Sequence, residues 1–84
     1  MEEKLIGKIT HYFSKIQVAI IELTGEIKIG DKIHIKGHHT DFEQDITSMQ
    51  IDRVDVEKAK KGDAIGLKVD EKVREGDEVY LILP

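Results

Sequence analysis

At 84 residues the chain has material for one core only, and a chain of that length buries about 60% of the surface its unfolded form exposes, so it depends on dense aliphatic packing. It contains no cysteine, which excludes disulfides and thiolate metal sites and fits a reducing, cytoplasmic setting. A formal net charge of −4 argues against a free-standing binder of phosphate backbones, and no apolar run approaches the roughly 18 residues of a membrane span, so neither a membrane nor a secretory leader is expected.

The apolar residues are mostly isoleucine and valine, whose branching at Cβ stiffens χ1 and suits a pleated surface, so the composition predicts strands. Charged residues make up 36% of the chain, lysine far outnumbers arginine and asparagine is absent, a usage expected of a thermophilic source.

The first run, KLIGKITHYF (4–13), reads as a strand. Within it GKIT (7–10) resembles the end of a phosphate loop, but it has no glycine five residues before Gly7, no Ser or Thr directly after the lysine and no following helix, so no nucleotide site is expected. His11, set among apolar residues, is expected to be buried and hydrogen-bonded. Neither Ser14 nor Ser48 sits in a nucleophile-elbow pattern, and no catalytic residue or cofactor site is assigned.

A second strand, QVAIIEL (17–23), leads to IKIGDKIHI (27–35), a phrase that recurs as KKGDAIGLK (60–68) and REGDEVYLI (74–82). Each glycine (Gly30, Gly62, Gly76) stands where a tight turn needs positive φ, and each aspartate behind it (Asp31, Asp63, Asp77) can accept backbone N–H groups. The copies lie 32 and then 14 residues apart, so they are turn chemistry and not a solenoid repeat. Three such turns feeding one small sheet system predict a barrel, whose closure removes unpaired edges.

The strand KIHIK (32–36) and the loop GHHT (37–40) predict a hairpin with Lys36 opposite Asp41, His34 opposite Glu43 and Lys32 opposite Asp45, leaving Ile35 beside Phe42 on the inner face. Every outward pair is then of opposite sign, which cancels a cationic patch at Lys32, His34 and Lys36. His38, His39 and Asp41 carry imidazole and carboxylate donors, but adjacent residues point apart, and no metal site is expected. FEQDITSMQIDRVDV (42–56) reads as one long strand, and because Ile46, Met49 and Ile51 break strict alternation, a β-bulge is expected near Thr47 and Ser48.

VEKAKKG (56–62) is too short for a stable helix and reads as a turn. It is the one net basic turn of the chain, and Lys58, Lys60 and Lys61 are the candidate residues for contact with a nucleic-acid phosphate. DAIGLKV (63–69) and EVYLIL (78–83) complete a count of six strands in a single domain spanning 1–84.

In order, Gly25-x-Ile27-Lys28-x-Gly30-Asp31, the strand carrying Ile46 and Met49, Ala59-x-x-Gly62-Asp63-x-x-Gly66-Leu67 and Arg74-x-Gly76-Asp77 resemble the second domain of translational GTPases such as elongation factor Tu. The likeness covers almost the whole chain, and it implies an all-β fold, a closed six-stranded Greek-key barrel of the elongation-factor domain II type. It further implies a non-catalytic module contacting RNA, the ribosome or a translation-related protein. The chain departs from that family in lacking an arginine within Ile20-Ile21-Glu22-Leu23-Thr24-Gly25, ahead of the first turn. It is similar as well to the barrel at the C-terminus of some collagenase-like peptidases, which implies an accessory protein-interaction domain as the alternative.

Overall fold

The computed structural model describes residues 2–83, all in strands, turns and loops, with no helix among them. Ten strands follow in order: β1 (Glu3–Phe13), β2 (Val18–Leu23), β3 (Ile27–Lys28), β4 (Lys32–Lys36), β5 (Asp41–Asp45), β6 (Met49–Ile51), β7 (Val54–Val56), β8 (Lys58–Ala59), β9 (Ala64–Lys68) and β10 (Glu78–Ile82). Eight form one antiparallel sheet in the order β5-β4-β10-β1-β2-β9-β6-β7, and β3 with β8 forms a two-stranded ribbon. The strands alternate as the sequence dictates. Ile33 and Ile35 of β4, Ile65 and Leu67 of β9 and Val79 of β10 are buried, while their charged neighbours face out.

The three Gly-Asp phrases fold alike. In each four-residue turn, Lys28–Asp31, Lys60–Asp63 and Arg74–Asp77, the glycine takes positive φ (96°, 94° and 92°). The aspartate N–H donates to the carbonyl three residues back, and its carboxylate accepts the N–H of that same residue at 2.9 to 3.0 Å. Each turn then docks on one buried aliphatic residue of another segment. The glycine N–H donates to that residue's carbonyl and the aspartate carbonyl accepts its N–H, with Ile46, Leu23 and Ile9 as the respective partners. The repeated phrase is therefore a repeated clip onto the core.

Two expectations about the sheet are corrected. The expected barrel is not closed, because the ladder ends at β5 on one side and β7 on the other. The long run 42–56 is three strands rather than one bulged strand. Ile46 is buried, but its N–H and C=O are taken by Asp31 and Gly30, so the chain leaves the ladder there and rejoins it at Met49 on the far side. It then reverses at Asp52 and Arg53, whose φ values of 52° and 66° match the paired left-handed residues of a tight hairpin turn. The bulges lie in β1 instead, at Ile6 against β10 and at Thr10 against β2, which lets one long strand serve both halves of a curled sheet.

The curl brings the inner face of β5 to the end of β9. There the buried Gln44 amide donates to the Lys68 carbonyl (3.0 Å) and accepts the Asp70 N–H (2.9 Å). A side-chain amide thus supplies the pair of hydrogen bonds that a neighbouring strand would otherwise make. The outward residues of the β5 edge, Asp41, Glu43 and Asp45, are acidic, which discourages further strand addition.

Candidate functional site

The ribbon β3/β8 pairs Ile27 with Ala59 and Lys28 with Lys58. Two residues per strand give it little stability of its own. The Ile29 N–H holds it to the Glu57 carbonyl, and Ile27 and Ala59 are buried against the core. Between this ribbon and the end of β10 runs an open cleft of about 700 Å³. Ile27, Ala59 and the half-buried Leu81, Ile82 and Leu83 give it an apolar floor, with Lys28, Lys58 and Lys60 among its cations and Glu26, Asp31 and Asp63 among its carboxylates.

The charges are unevenly engaged. Lys28 Nζ lies 3.0 Å from Asp31 Oδ1. Asp31 and Asp63 also accept the backbone N–H groups of Lys28 and Lys60 within their turns. Among the described residues neither Lys58 nor Lys60 forms an ion pair, though Lys58 stands directly opposite Lys28. Of the three lysines expected to act together, the structure brings Lys58 and Lys60 to the cleft, while Lys61 is not part of its lining.

A second cluster lies on the outer face of the large sheet. The β4/β5 register is the expected one, Lys36 to Asp41, His34 to Glu43 and Lys32 to Asp45. The side chains, however, pair diagonally: Lys32 Nζ contacts Glu43 (3.7 Å) and His34 Nε2 hydrogen-bonds Asp41, as long side chains on a twisted sheet allow. Lys36 turns instead toward the Tyr80 ring, its ammonium 5.5 Å from the centroid. His34 Nδ1 meets Glu3 of β1 at 2.7 Å. The Asp41 carboxylate above all, and then Glu3, hold the imidazole above its ordinary value of 6.5 against the opposing pull of burial.

Glu3, His34 and Glu43 each offer a donor atom within 4.8 Å of the others, a geometry open to a metal ion. His38 and His39, by contrast, are exposed in the hairpin loop and join no such group. Nothing in the sequence pointed to Glu3, which reaches His34 from two strands away. His11 corrects another expectation. It is exposed, with Nδ1 3.2 Å from Glu75 and its ring edge-on to Phe13, because the Thr10 bulge shifts the strand phase beyond Ile9.

Fold and cleft together define a small all-β module presenting a mixed-charge surface with an aliphatic floor. No family model matches the chain. It is 49% identical over 78 residues to an uncharacterized protease of Methanocaldococcus jannaschii, covering 92% of this chain and 19% of that protein. A collagenase of Porphyromonas gingivalis is 40% identical over 81 residues, covering 94% of this chain and 22% of the collagenase. The chain thus spans about a fifth of the length of the curated relatives it matches. Among solved structures, the C-terminal domain of a putative U32 peptidase from Geobacillus thermoleovorans superposes with a TM-score of 0.89 at 14% identity, over 95% of this chain and 93% of that domain. Its selenomethionine variant gives 0.86 at 15% identity, over 90% and 96%. The fold is that of a U32 peptidase C-terminal domain, which favours the collagenase-like of the two resemblances.

Proposed function

We propose that the chain is an accessory, non-catalytic interaction domain of a U32-type peptidase, supplied in cis or in trans, and that the cleft is where it engages polypeptide. The carrying observation is that nearly all of this chain matches about a fifth of a protease and of a collagenase, a proportion that leaves most of each relative outside the likeness. The cleft supports that role, since an apolar floor edged by a few charges is the usual make-up of a peptide-sized site.

The test is reconstitution. The M. jannaschii protease lacking its matching 78 residues is mixed with this chain and followed by light scattering and by cleavage of denatured collagen. Association, with cleavage above that of the shortened protease alone, is the expected result. No association together with salt-sensitive RNA binding would overturn the reading in favour of a translation-factor-like module. That second reading relies on Lys58, Lys60 and Lys61 acting as one phosphate footprint, whereas the cleft gathers two of the three and shares them with carboxylates.

A further inference from the structure

Resting on the accessory-domain reading, we propose that the cleft binds a short extended segment of peptidase substrate carrying a carboxylate side chain between aliphatic ones, with Lys58 and Lys60 gripping the carboxylate. The first argument is electrostatic. Lys28 and Lys58 face each other across the smallest sheet in the molecule, an arrangement that disfavours the ribbon because like charges directly opposite repel. Asp31 relieves Lys28 only. Lys60, two residues from Lys58, adds another cation at the same cleft, and Asp63, the cleft carboxylate three residues from Lys60, accepts the Lys60 N–H. An incoming carboxylate complements both ammonium groups without disturbing either turn.

The second argument is apolar. Leu81, Ile82 and Leu83 are half-exposed beside the buried Ile27 and Ala59, so part of the cleft gains from being covered by aliphatic side chains. A bare phosphate satisfies the lysines and leaves that floor wet. The size selects a peptide too, because about 700 Å³ accommodates a short stretch of chain rather than the face of a folded domain.

The experiment is fluorescence anisotropy with a fluorescein-labelled Leu-Glu-Leu-Glu-Leu peptide, its Leu-Gln-Leu-Gln-Leu counterpart and a labelled decamer of single-stranded RNA. The acidic peptide is expected to bind saturably, and about three- to tenfold more weakly to Lys58→Gln/Lys60→Gln, the range expected from two exposed ion pairs. Lys61→Gln is expected to leave binding unchanged. All three lysines are exposed, so the variants are expected to keep the wild-type melting midpoint, which is measured alongside. Equal binding of the glutamine peptide, equal loss in Lys61→Gln, no saturation at millimolar protein or tighter binding of the RNA would each overturn the proposal. Loss of peptide binding with protease association retained removes the clamp alone, whereas the reverse result removes the accessory-domain reading and leaves the clamp.

Discussion

The carboxylate of Asp77 packs on the α-carbon of Gly37, so closely that a methyl group added at Gly37 would lie 1.9 Å from Oδ1. Asp77 is 5% exposed and holds the Arg74 N–H in the third of the three clips, while Gly37 opens the β4–β5 loop. One contact therefore ties the hairpin loop to the start of β10. Gly37→Ala is expected to cost about 1 to 3 kcal/mol, the usual penalty for overfilling a packed site. Denaturant unfolding checks it, and Gly37→Ala combined with Asp77→Ala is expected to recover part of the loss. No recovery would show that the penalty has another origin.

The clip glycines make a contrasting case. Around Gly30, Gly62 and Gly76 a β-carbon meets nothing within 4 Å, so space is not what selects glycine there. Their φ values of 92° to 96° are, and Gly→Ala at each is expected to cost about 1 to 2 kcal/mol from backbone strain. Because the three turns share geometry and hydrogen-bond pattern, the three costs are expected to agree within about 0.5 kcal/mol. A scatter of several kcal/mol among them would mean that docking onto Ile46, Leu23 and Ile9, not the shared turn, sets the value.

What the sequence disclosed and what it withheld divide along the range of the interactions involved. The Gly-Asp turns and the Lys36-to-Asp41 register were legible because glycine's φ, the aspartate's reach and a four-residue loop are local facts. The break after Asp45 was not, since it depends on Ile46 finding Gly30 and Asp31 in space, and the reversal at Asp52 and Arg53 uses left-handed residues where a glycine or asparagine would have signalled it. The same holds for the candidate site. Lys58 and Lys60 were visible as a basic turn, but the aliphatic floor they border is assembled from β3, β8 and β10, and Glu3 reaches His34 only through the fold.

Gln44 illustrates that non-local class and can be tested directly. Its amide both donates to Lys68 and accepts from Asp70, so Gln44→Leu keeps the bulk while stranding both backbone groups, at an expected cost of about 1 to 2 kcal/mol. The Asp70 N–H is expected to exchange with solvent faster than in the wild type. Gln44→Glu retains the acceptor but sets a carboxylate near the Lys68 carbonyl, and it is expected to lose more stability at pH 7 than at pH 4, where the protonated acid can donate again. Equal exchange at Asp70 in the leucine variant would refute the closing role.

His34 makes part of the stability pH-dependent. Facing it are Glu3 from β1 and Asp41 and Glu43 from β5, with Tyr80 of β10 its opposite residue and Lys32 and Lys36 its neighbours on β4. The net surroundings favour the imidazolium, and its folded pKa lies above 6.5, with the Asp41 hydrogen bond as the largest cause. A group whose pKa is raised by folding stabilises the native state fully below the unfolded value and loses that contribution as pH rises through the folded value. The stabilisation is therefore expected to hold from the upper end of carboxylate titration, about pH 5, to near 6.5, and to fade above it. Asp41→Asn removes the dominant cause, so the His34 midpoint followed by its ring proton resonances is expected to fall, and the loss of stability above pH 6.5 to be smaller and complete at lower pH. Glu3→Gln is expected to lower the midpoint by less. A midpoint unmoved in Asp41→Asn would show that the imidazole is held by something other than this carboxylate, and an equal or larger fall in Glu3→Gln would reverse the order of the two partners.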